Sequence, residues 1–239
     1  MGNLVIVRHG ESQWNRENRF TGWTDIDLTA NGIQQARNAG RALAEAGFRF
    51  DLAYTSMLKR TIRSQWLMLD ELDAMYIPII SHWRLNERHY GALTGQNRAE
   101  MINKFGEEQV WLWRRGFDSR PPLMDKDDPR SPCFEPRYDG LDRASLPLGE
   151  SLKDTVERVR LFWDESIAPA LRADKNIIIS SHGNSQRALV KLLEDMSDEE
   201  VSRFDVPNSV PLVYKLDTQL RVLDRSSMNI PHPEVSAIL

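Results

Sequence analysis

Cysteine is almost absent: Cys133 is the only one in 239 residues. It excludes an intrachain disulfide and a cysteine-rich zinc site, and it fits a reducing compartment. Long apolar runs are absent as well. Nothing approaches the roughly 18 residues needed to span a bilayer. The run "LVIV" (4–7) leads straight into Arg8 and His9, so no signal peptide is expected. Ile6 occupies the position where an N-myristoylation site wants Ser or Thr. Basic excess is missing too: the net charge of -4 argues against a nucleic-acid binder. The expectation is a cytoplasmic protein with neither nucleic acid nor membrane as partner.

Most machinery for phosphoryl or acyl transfer is also lacking. There is no G-x-x-x-x-G-K-[ST] loop to hold a nucleotide and no G-x-S-x-G elbow. A Cys-x5-Arg loop fails because Asp139 stands six after Cys133. No H-E-x-x-H occurs, and His82, His89 and His232 sit in different contexts, so no metal is expected.

What is present is a chain of strands alternating with helices. Leu4–Val7 reads as a buried strand, rich in β-branched residues. Residues 29–46 bring Ile33, Ala36, Gly40 and Leu43 onto one helical face, with Gly47 as the stop. "DLAYTS" (51–56) is a second strand, followed by a helix from about 58 to 72 that carries Arg60 in its first turn. "IPIIS" (77–81) is a third, which Pro78 assigns to an edge or to a strand start. A short helix is predicted at 107–115. Ser151 caps an amphipathic helix whose stripe is Leu152, Val156, Val159, Trp163 and Ile167, with Asp154 completing a capping box. Ile177–Ser180 is the next strand, 184–196 the next helix, and 211–224 a hairpin. This pattern predicts an α/β fold: a mostly parallel central sheet with helices on both faces. The whole chain, 1–239, reads as one domain. Its polar stretch at 118–149, holding six of the twelve prolines, is long enough to be a lid-like wall over a site. The tail from about 226 to 239 shows no period.

In such folds ligands gather beyond the carboxyl ends of the strands. His9, Arg60 and His182 all fall there. "VRHGES" and "SSHGNS" are two strand–His–Gly units, whose glycines let a ligand approach and whose following helix starts offer N–H groups to an anion. Arg8 adds a guanidinium that can grip a phosphoryl group in two parallel bonds. With the other machinery missing, a histidine remains as the nucleophile, since an ordinary imidazole is largely neutral at pH 7. A second imidazole, if protonated, would neutralise charge on the equatorial oxygens. On the residues alone, alternatives stay open. Glu87 could pair with Arg84 or Arg88, Arg114 and Arg115 could be a solvated helix end, and Ser12 and Asn15 could cap a helix.

"RHGES" is similar to the RHG signature of the histidine phosphatase superfamily. Five segments in order, "RHGESQWNRENRFTGWTDIDLT", "YTSMLKRTI", "LNERHYGALTG", "WRRGF" and "SHGNSQRALVK", resemble the cofactor-dependent phosphoglycerate mutases from residue 4 to about 216. The resemblance implies a phosphoglycerate mutase-like fold. It implies that His9 is phosphorylated, that Arg8, Arg60 and His182 complete the pocket, and that Glu87 is the general acid/base. Ser12, Asn15, Thr21, Gly22, Arg88, His89, Tyr90, Arg98, Arg114, Arg115, Gly183 and Asn184 would surround the substrate. The implied reaction is interconversion of 3- and 2-phosphoglycerate, primed by the cofactor 2,3-bisphosphoglycerate, without metal, in a homodimer or homotetramer. A phosphatase of the same superfamily and a non-catalytic phospholigand-binding module are the alternatives. Three departures stand out. Arg98 replaces the usual Lys, Gln186 the usual Leu, and Asn208-Ser209 the commoner Thr-Gly.

Overall fold

A computed structural model describes residues 2–230. In chain order the elements are β1 (Asn3–Arg8), α1 (Gln13–Arg16), α2 (Ala30–Glu45), β2 (Leu52–Thr55), α3 (Lys59–Glu71), β3 (Ile79–Ser81), α4 (Arg98–Phe105) and α5 (Glu107–Arg115). There follow α6 (Leu152–Phe162), a π-helical turn (Trp163–Ile167), α7 (Ala168–Arg172), β4 (Ile177–Ser181), α8 (Gly183–Glu194), α9 (Asp198–Arg203), β5 (Pro211–Leu216) and β6 (Val222–Ser227).

The strands form one six-stranded sheet in the order β3-β2-β4-β1-β5-β6. β1 through β4 run parallel and the β5–β6 hairpin antiparallel. Pro78 precedes β3, which is indeed an edge strand. Alternating side chains of the central strands feed two cores, as the pleat requires. Leu4, Ile6, Tyr54, Ile177 and Ile179 pack with α6, α7 and α8 on one face. Val5, Val7, Ala53 and Ile178 pack with Ala39 and Leu43 of α2 and Met68 and Leu69 of α3 on the other. Thr29 caps α2 at Gly32 N, and the predicted capping box of Ser151 and Asp154 starts α6. No helix of the described residues is long and apolar enough to cross a membrane.

Three features differ from expectation. The unpredicted helix α4 is started by Asn97, whose side chain accepts from Ala99 N and Glu100 N, and is ended by Gly106 at φ +85°. The 118–149 segment contains only single 3-10 turns and packs sideways. Tyr138 and Leu146 join Trp23, Arg130 donates to Thr94 O and Arg137 to Met57 O. β6 extends through Ser227, so the aperiodic tail begins inside a strand; residues 231–239 lie outside the described residues.

Candidate active site

β1 and β4 are adjacent parallel strands in a register that pairs Arg8 with Ser181. The next residues along each strand are His9 and His182, and His9 N donates to Ser181 O at 3.0 Å. The imidazoles therefore meet side by side, with ring centroids 5.1 Å apart and planes at 66°. β2 lies on the other side of β4 with Thr55 opposite Ser180, and Ser56, next along β2, reaches the ring of His182.

Hydrogen bonds fix the tautomer of each ring. His9 Nδ1 lies 2.6 Å from Gly10 O. A carbonyl can only accept, so Nδ1 carries the proton and Nε2 keeps the lone pair. His182 Nε2 lies 2.8 Å from Ser56 Oγ. Thr61 donates its one hydroxyl proton to Leu58 O at 2.8 Å, so Ser56 must donate to Thr61 Oγ1 across 2.6 Å. Ser56 Oγ then accepts from Leu58 N and from a protonated Nε2 of His182. Burial first, and then the Arg60 charge, hold both histidines well below the ordinary imidazole range. That direction favours the neutral form of each imidazole.

In front of His9 lies a cavity of about 180 Å³. It is lined by Arg8, His9, Asn15, Thr21, Gly22, Arg60, Glu87, Tyr90, Arg98, Arg114, Arg115, Gly183 and Asn184 of the predicted residues. Arg60, 1% exposed, is aimed by Gly22 O and Thr24 O, each at 2.8 Å. Burial pulls its guanidinium down to about 10, and Arg98 likewise, which leaves both charged at neutral pH. Arg8 Nε, Arg98 Nε and Thr21 Oγ1 are buried without a hydrogen-bond partner among the described residues. Glu87 is the one carboxylate in the lining among the described residues, and its Oε1 accepts from Arg88 N at 2.8 Å and Asn184 N at 3.0 Å. The α8 start expected to receive an anion thus holds this side chain.

Ser12, Arg88, His89 and His182 lie behind the lining. Ser12 caps α1, accepting from Asn15 N, while the Asn15 side chain returns a bond to Ser12 N. Arg88 turns inward, donates to Gly116 O and Trp113 O, and so braces the end of α5 that presents Arg114 and Arg115. His89 accepts from Gly91 N and packs against Trp23, and burial pushes it down to about 4. No residue of the expected 118–149 wall reaches the cavity. Gly10 also has a reason other than ligand approach: a Cβ there would lie 2.1 Å from Gly32 O.

Sequence reasoning missed Arg187, which also lines the cavity. It sits one turn after Asn184 on α8, the i,i+3 relation that could have found it. It missed the support behind the arginines too. Phe204 O accepts from Arg115 and Arg187, and Val206 O from Arg8. Asn208, one of the departures, donates to His9 O at 2.7 Å, and Ser209 takes φ +54°, a conformation glycine adopts more cheaply.

A basic cavity built on a neutral histidine and its buried histidine neighbour is equipped to hold a phosphoryl group. Solved structures share the architecture. A mycobacterial glucosyl-3-phosphoglycerate phosphatase in complex with VO3 is 19% identical, with a TM-score of 0.71 over 96% of this chain and 98% of that one. A putative alpha-ribazole-5'-P phosphatase from Escherichia coli is 21% identical, with a TM-score of 0.68 over 96% and 95%. At such identities the likeness carries the fold alone. The sequence profile of the histidine phosphatase superfamily (branch 1) matches residues 4–226, nearly the whole chain, and the protein belongs to that superfamily.

Proposed function

We propose that the protein interconverts 3-phosphoglycerate and 2-phosphoglycerate through a phosphohistidine on His9. The observation that carries this reading is the surplus of cations in the cavity beyond the two whose charge acts on His9. Arg8 and Arg60 flank His9, while Arg98, Arg114 and Arg115 add charge for a second anionic end. A substrate with a phosphate at one end and a carboxylate at the other uses both groups.

The His9 Nε2 lone pair attacks phosphorus, the P–N bond forms and the P–O bond breaks, and the ring keeps its Nδ1 proton on Gly10 O. The departing oxygen takes a proton from Glu87, which recovers one from the acceptor hydroxyl in the return step. Such a service is worth about 10²–10⁴ in rate. In the cycle, phospho-His9 donates to either monophosphoglycerate, and the bound 2,3-bisphosphoglycerate returns its other phosphoryl group. That bisphosphate is the proposed cofactor, as primer of the dephospho-enzyme, and the cycle needs no metal. The proposed partners are small phosphoglycerates and a second copy of the chain, as homodimer or homotetramer, in the cytoplasm, with neither nucleic acid nor membrane.

Hydrolysis by the same site is a second reading, and the solved neighbours favour it, since two of them are named as phosphatases. Water in place of the sugar-acid hydroxyl is the only chemical difference. Phosphorus NMR of 3-phosphoglycerate with the protein and EDTA, with and without a trace of 2,3-bisphosphoglycerate, separates them. A 2-phosphoglycerate signal that grows faster with the primer is expected. Inorganic phosphate alone would establish the phosphatase instead, and no change in either tube would leave a binding module.

A further inference from the structure

Glu87 lies in an irregular segment, yet its backbone is held from behind by buried groups. Its carbonyl accepts from Trp23 Nε1 and from Arg158 Nη2, the latter at 2.9 Å. Arg158 projects from α6 and is 7% exposed. Its Nη1 donates to Arg84 O at 2.6 Å, and Nε and Nη2 grip the two carboxylate oxygens of Glu150 at 2.6 and 3.0 Å. Glu150 accepts from His89 N through its side chain and donates to His89 O through its backbone, both at 2.8 Å. One buried ion pair thus ties residues 84, 87 and 89 to the second turn of α6 and to the residue just before its N-cap. Neither Arg158 nor Glu150 lines the cavity.

A buried pair of this kind adds little net stability, because desolvation offsets most of its Coulombic gain. Its consequence here is geometric. Among the described residues Glu87 is the only carboxylate lining the cavity, and a reacting group displaced by about 1 Å can cost about 100-fold in rate. We infer that Glu150 and Arg158 are positioning residues for Glu87, fixing the 84–89 backbone so that its carboxyl reaches the oxygen of the bond being made or broken. The inference rests on the phosphoryl-transfer reading above.

The chemistry supplies a selective test. When 2,3-bisphosphoglycerate phosphorylates His9, an alkyl P–O bond breaks and its oxygen must take a proton. When p-nitrophenyl phosphate does so, nitrophenolate leaves without one. Phospho-His9 formation from each donor is measured in single turnovers for wild type, Arg158→Lys and Glu150→Gln. Both variants are expected to slow transfer from the bisphosphate by about tenfold or more. Half-saturation, and the rate from the aryl donor, should stay within about threefold. Equal losses from both donors, or no loss from either, would overturn the inference. The double variant Glu150→Gln/Arg158→Met removes both charges together, which avoids an uncompensated buried carboxylate. It should show the same selective loss with a cooperative melt. Wild-type protein that forms no phosphohistidine from either donor would instead sink the transfer reading and this inference with it.

Discussion

His9 and His182 sit edge to face at the ends of two neighbouring parallel strands, 5.1 Å between ring centroids, with Nε2 of His9 left as the free lone pair. Burial and two arginines keep His9 neutral, so it is nucleophilic at pH 7 without a separate base. Incubation with labelled 2,3-bisphosphoglycerate should therefore give an acid-labile, base-stable phosphoenzyme. His9→Ala should carry none. Label of that kind persisting on the variant would assign the nucleophile elsewhere.

Ser56 determines which nitrogen of His182 bears the proton, because Thr61 commits its own hydroxyl to Leu58 O. In Ser56→Ala the imidazole loses the acceptor that selects the Nε2–H form. Nitrogen-15 NMR of wild type should show a single Nε2–H tautomer for His182, and the variant a mixture. Phosphoryl transfer should slow by about tenfold, the scale of one lost buried hydrogen bond. An Nδ1–H tautomer in wild type would refute this order of donors and acceptors.

How much of this was legible in the sequence depends on whether a period fixed side-chain direction. β1 and β4 were readable as apolar, β-branched runs, and α6 from the Ser151–Asp154 box and its stripe. The two histidines followed, because a strand end dictates where the next residue goes. "ERHY" has no such period: Glu87 and Tyr90 face the cavity while Arg88 and His89 face the interior. Four adjacent polar residues give no signal for that alternation. The Glu150–Arg158 pair joins residues eight apart across a helix start, and its targets at 84, 87 and 89 are distant in sequence. α4 escaped because its only buried side chain is Met101, too little to make a stripe.

On the proposed reading, Arg114 should serve recognition rather than chemistry. It lines the cavity from the last turn of α5, whereas the His9 side of the pocket is served by Arg8 and Arg60. Arg114→Ala should raise half-saturation by 3-phosphoglycerate at least about tenfold, the worth of a charged hydrogen bond of about 1.5–3 kcal/mol. Labelling of His9 by p-nitrophenyl phosphate, which has no second anionic end, should hardly change. Equal losses with both donors would move Arg114 to the transferring phosphoryl group.

Acid should destabilise the protein well before its carboxylates titrate. Burial, chiefly, lowers His9 and His182 well below the ordinary value and His82 and His89 to about 4. The unfolded chain therefore binds more protons than the native state below about pH 6.5. With a depressed native value, the stabilisation is complete above the unfolded value and is lost as pH falls toward the native one. For His89, 1% exposed and held against Trp23, the loss between pH 7 and pH 5 is about 2 kcal/mol. Urea unfolding at the two pH values should show at least that decrease, and His89→Gln should recover part of it relative to its own value at pH 7. A native state equally stable at both pH values would mean that these imidazoles reach water before the chain unfolds.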